Sequence, residues 1–249
     1  MNKLLVFILV LFAVSGCKST PDYLNTKSLV TNYQTVGLVS FDVPEGLEYF
    51  APKLKQFYKP RIETELEKAG FKTVDASSFY TRLKELKKET PDLYNSNTGQ
   101  LNEALYDQLY NQALKETKEK LNVDIFLFAG IDITQAHFSN NFLLGYTADW
   151  YGQSEDFLED GVDAGDVLGS FFVEKTGHLP GAYIYLSFKD TEYKDLSFVG
   201  GGIELLARFD DDGNAKMKTA EYLFDDEAQL ANALDLAFTH LANIKQRKK

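Results

Sequence analysis

Few residues in this 249-residue chain have both the type and the spacing that chemistry demands. Cys17 is its only cysteine, so no disulfide can form within the chain. The three histidines, His137, His178 and His240, stand singly, without the paired spacing by which zinc sites usually declare themselves. A hydrolytic triad needs a serine, a histidine and an acid meeting in space, and none of the serines lies in Gly-x-Ser-x-Gly. Asp160, Asp163 and Asp166 sit three apart, whereas a calcium loop places its acids at alternate positions. Asp210, Asp212 and Asn214 come nearer to that pattern, but Gly213 falls between the last two. Both sets read as solvated turns. Gly200-Gly201-Gly202 is followed by a strand-like run rather than the helix a phosphate cradle needs, which predicts a bulge or a close backbone approach. The expectation is no catalytic residue, no metal and no cofactor.

The aromatic set around His137 and Phe138 points instead to binding. Phe142, Tyr146, Trp150 and Tyr151 fall in a stretch without periodicity, and exposed aromatics on loops mark interaction surfaces. Exposed, they would contact a partner protein or stack on glycan sugars. Buried, Phe142 and Trp150 would plug the core under a long loop.

The remaining chemistry lies at the start. Lys3 precedes an unbroken apolar run from Leu4 to Val14, the size of a signal-peptide core and too short to span a bilayer, which takes roughly 20 residues. Val14-Ser15-Gly16-Cys17 follows, and it resembles the lipobox of bacterial lipoprotein signal peptides. The resemblance implies that residues 1–16 are removed and that Cys17 carries acyl chains, two or more of which hold a protein stably to a membrane. By resemblance to the enteric sorting rule, Lys18 after the cysteine favours the outer membrane, with the body facing the periplasm.

A net charge of −11 argues against nucleic acid, whose recognition needs clustered lysine and arginine. It also argues against lying flat on anionic lipid beyond the acyl anchor. Hydrophobic residues at 44% and charged ones at 25% are ordinary for a folded domain, and an aromatic content of 14% supplies much of a core without disulfides.

The elements that must position any site run as follows. Residues 17–34 are polar and aperiodic, a flexible tether. Thr35 to Phe41 is a β-branched strand. Leu47, Phe50, Leu54, Phe57, Ile62 and Leu66 form a helical stripe that Pro60 either kinks or restarts and Gly70 ends. Phe71 to Val74 reads as a second strand, and Ser77 or Ser78 caps a short helix through Lys88. A loop over 91–100 leads to a helix from Leu101 to Leu121, which feeds the very apolar strand Val123 to Gly130. A strand so lacking in polar alternation is covered on both faces. Ala182 to Phe188 and Ile203 to Phe209 alternate as strands, and a helix from about Asp226 to Gln246 closes the chain. Together these predict one mixed α/β domain over 35–249, a central sheet with helices packed on it, with a long irregular insertion around 138–180.

Three stretches carry a further resemblance: Val36–Phe41 with its helix into Ala69–Val74, the helix running into Asn122–Gly130, and Gly200–Leu206 ahead of the last helix. This order on a lipobox-anchored chain resembles the envelope lipoproteins with an anticodon-binding-like α/β domain. That group includes the curli-secretion lipoprotein, the peptidoglycan-synthase activators and the amino-terminal domain of the Tol-system propeller protein. The resemblance implies a non-enzymatic role, binding or activating another envelope protein. A small-ligand or glycan-binding lipoprotein is the alternative, and a hydrolase the third.

Overall fold

The computed structural model describes residues 22–139, 146–159, 162 and 176–246. Order begins earlier than the expected tether allows. Asn25 accepts from the Ser28 amide and caps a helix, α1 (Thr26–Asn32), which buries Leu29 completely. Leu24 donates its amide to the Leu196 carbonyl at 2.8 Å. Residues 24–34 are therefore part of the folded body, held by a cap and by Leu24, Leu29, Val30 and Tyr33 against the core.

Parallel pairing needs crossovers, and the first half of the chain supplies two. β1 (Thr35–Asp42) leads through α2 (Ala51–Ala69) to β2 (Lys72–Asp75), which lies parallel beside it. α2 runs through Pro60 as one helix, and Gly70, at φ 102°, ends it in the left-handed conformation. From β2, α3 (Ser78–Glu89) and α4 (Glu103–Leu121) cross back to β3 (Ile125–Ser139), parallel to β1 on its other side. Asn102 caps α4 through the Leu105 amide.

The second half is antiparallel. β3 continues far beyond its apolar start and pairs over its whole length with β6 (Thr176–Lys189), which pairs in turn with β7 (Asp195–Leu205). β4 (Thr147–Trp150) and β5 (Gln153–Asp156) form a hairpin on the far end of β3. β8 (Ala207–Phe209) and β9 (Ala215–Met217) make a separate ribbon. The stretch around 138–180 is thus largely strand where it is described. Its inward positions include Ala136, Ala148, Gly177 and Gly181, small residues that leave no hydrophobic alternation to read.

Seven strands form one mixed sheet with five described α-helices packed on it, an α/β fold. α5 (Glu227–Asn243) joins α1 and α2 on one face, where Leu54, Tyr58, Leu66, Leu234 and Leu241 meet Ile125, Leu127 and Ile184. α3 and α4 cover Val39, Phe126 and Phe128 on the other with Phe79, Leu83 and Leu114. Burying each such side chain is worth about 1.5–3 kcal/mol. A third cluster joins the β4–β5 hairpin to Tyr183 and Leu205.

The glycine triplet shows the close approach its sequence predicts. A Cβ on Gly201 would collide with the Ala233 carbonyl of α5. On Gly202 it would collide with Gln153 and the Trp150 carbonyl, and on Gly200 with the rings of Tyr151 and Tyr183. β7 is clamped between α5 and the hairpin because these three positions have no side chain.

Candidate functional site

β2 is four residues long and β1 is eight, and that mismatch opens a recess that brings charged, hydroxyl and apolar groups together. β2 accompanies β1 only from Thr35 to Leu38. Beyond it, Ser40, Phe41 and Asp42 pair with β3 on one side and, among the described residues, have no strand on the other. α2 and the start of α3 wall this free edge into a cavity of about 360 Å³. Lys55, Lys59 and Ile62 come from α2, Ser77 and Tyr80 from the start of α3, and Leu38, Phe41, Leu127 and Ala129 from the sheet. It lies at the carboxyl ends of parallel strands, where the path turns from β1 outward to β2 and then back across to β3. Open α/β sheets hold ligands at such a switch point.

The polar groups are ordered. Lys59 Nζ lies 2.8 Å from Asp75 Oδ2, and Asp75 Oδ1 accepts the Ser77 amide at 2.8 Å. The Lys59 ammonium, with the Ser77 bonds behind it, brings the Asp75 pKa down to about 2. Ser40 Oγ donates to Asp42 Oδ2 at 3.0 Å, and the Tyr80 hydroxyl stands 3.2 Å from Ser40 Oγ. Burial raises the Tyr80 pKa, which keeps that hydroxyl a neutral donor although 40% of the residue is exposed. Behind them a Cβ on Gly130 would strike the Asp42 carbonyl and the Tyr185 ring, so glycine is what lets β1 and Tyr185 close on β3. The recess offers a free backbone edge, hydroxyls and a lysine pair over an apolar floor. These are groups that bind.

The residues singled out in the sequence lie elsewhere. Cys17 and Phe142 are outside the described residues, as are Asp160, Asp163 and Asp166. Trp150 does not form a binding surface: it is 5% exposed and its Nε1 donates to the Ala182 carbonyl at 2.9 Å, a core plug under the hairpin. Tyr146 is half-buried, edge-on to Phe157. Tyr151, at φ 43°, stacks on Tyr183 with centroids 4.2 Å apart and stays 36% exposed. The three that are described, Tyr146, Trp150 and Tyr151, therefore do not share one exposed patch. Asp210 is buried rather than solvated: it accepts from the Asn214 amide and pairs with Lys216, holding the β8–β9 turn. Asp211 and Asp212 bring their carboxylates near it. His240 on α5 has its Nδ1 2.7 Å from the Gly200 carbonyl oxygen.

His137 and His178 are not single. The register of β3 and β6 sets them directly opposite each other. Sequence spacing misses this pair, because its members lie on strands joined by a long connection. The signal that finds it is the extension of β3 and β6 as one ladder.

No protein-family model matches the chain, and no curated protein matches it. Among solved structures, one from Helicobacter pylori described as a neuraminyllactose-binding hemagglutinin homolog aligns over 92% of this chain and 90% of that one. Identity is 12% and the TM-score is 0.30. No described helix is long and apolar enough to cross a membrane.

Proposed function

We propose that this chain is an acyl-anchored envelope lipoprotein whose domain is a non-enzymatic binding module, taking an extended segment of a partner protein against the free edge of β1. The observation that carries the reading is that edge, Ser40 to Asp42, unpaired within a walled recess. An unpaired strand edge presents main-chain groups to an added strand, and the recess beside it selects side chains. Tyr80 and Lys55 on its walls fit a segment with an apolar residue next to a carboxylate. The lipobox resemblance at Val14–Cys17 supplies the location.

A photo-crosslinking residue in place of Lys55 or Tyr80, in the full acylated chain in its own membranes, tests the reading. One discrete envelope protein captured from these positions, and not from the exposed Glu103 on the α4 start, is the expected result. Capture that does not distinguish the three positions overturns it.

The alternative, a small ligand or glycan, is favoured by one observation: about 360 Å³ lies within the usual range for ligand pockets, about 300–1,000 Å³. Saturable binding of a free sugar or small anion that Lys59→Ala abolishes would select it.

A further inference from the structure

We propose that His137 and His178 form a two-histidine binding site for a divalent transition-metal ion on the outer face of the β3–β6 ladder. Residues directly opposed on antiparallel strands project to the same side, and here the neighbours Ala136, Phe138 and Leu179 turn inward to the third core cluster. Both imidazoles are therefore exposed on the far side, with ring centroids 5.4 Å apart and planes at 79°. Two imidazoles bound to one tetrahedral ion through metal–nitrogen bonds of about 2.0–2.1 Å have their centroids about 5 Å apart. The pair already stands close to that separation.

The backbone holds it there. β3 and β6 are paired without a break from Phe126–Lys189 to Ser139–Thr176, so neither histidine must be gathered from a loop when the ion arrives. A third group lies in the same row: Asp149 on β4 is the direct partner of His137, on the side away from His178, and is exposed on the same face. A metal-bound histidine commonly donates its second ring N–H to a carboxylate, which fixes its tautomer. Asp149 is placed for that role. Imidazole nitrogen with water completing the shell selects Cu²⁺, Ni²⁺ or Zn²⁺ over calcium or magnesium, which take oxygen.

The test is titration of the full acylated chain in detergent with Cu²⁺, followed by calorimetry and by electron paramagnetic resonance. One ion per chain, with splitting from two imidazole nitrogens, is expected. Either His137→Asn or His178→Asn should reduce the splitting to one nitrogen and weaken binding on the order of a hundredfold, the gain that linking two ligands supplies. The double variant should abolish binding, Asp149→Asn should weaken it less than either histidine change, and His240→Asn should leave it unchanged. Binding that survives the double variant, or a signal carrying one nitrogen in the unaltered chain, overturns the proposal. The circular dichroism of each variant should match the parent, since both side chains are exposed.

Discussion

Lys59 on α2 reaches across the recess to Asp75 at the end of β2, nitrogen to oxygen 2.8 Å, and so ties the helix that leaves β1 to the strand it leads to. Both side chains are about half exposed, which makes the pair a positional device more than a source of stability. The consequence is visible in acid. In the unfolded chain Asp75 takes up its proton near its ordinary pKa of 3.8, and in the folded chain only near 2. Its contribution is thus complete above about pH 4 and drains away between 4 and 2. Asp75→Asn should flatten the acid limb of a stability-against-pH curve in that window, while costing less than about 1 kcal/mol at pH 7 in ordinary salt. A variant whose acid limb superposes on the parent's would contradict this.

Trp150 is a structural residue. Trp150→Ala should lose about 3–5 kcal/mol in urea unfolding through the cavity it leaves, with the Ala182 carbonyl also deprived of its donor. Tyr151→Ala, removing a partly exposed ring, should cost less than half as much.

Gly201→Ala should be worse than its size implies. The added methyl meets the backbone of α5 at Ala233, which cannot rotate away as a side chain would. Displacing the helix should cost about 3 kcal/mol, and a drop in the thermal midpoint of several degrees is the readout.

If Cys17 carries the proposed acyl anchor, Cys17→Ser should release the protein from membranes into the soluble fraction after cell breakage. Retention in the membrane pellet would remove the anchor from the functional reading.

The parts of the fold legible in the sequence are those with long apolar periods. β1, the apolar start of β3, α4 and the capped α5 fall close to where residue spacing puts them, and Gly70 ends α2 as its position predicts. α1 escaped because a seven-residue helix buries one residue fully, too little for a period to show. The β4–β5 hairpin escaped because its inward set, Ala148 beside Trp150, shares no simple alternation with neighbours such as Gly177 and Gly181. The recess was invisible for a different reason. It arises from the difference in length between β1 and β2, which no single residue encodes, and its lining is drawn from four separate stretches of chain.

The bond from the Leu24 amide to the Leu196 carbonyl sets which end of the sheet the amino-terminal segment joins. It fixes the chain beside the start of β7, level with Phe126 and Leu127 at the beginning of β3. Six residues lie between Cys17 and Leu24, seven Cα-to-Cα steps with a reach of at most about 25 Å even when fully stretched. β1 and β3 run away from that level, so Asp42 and Gly130 lie about 13 Å up the strand from Phe126 and His137 about 35 Å. Were Cys17 held in a bilayer, as proposed, the leash would keep the base of the sheet within that reach of the lipid, with the histidine pair about 35 Å farther along β3.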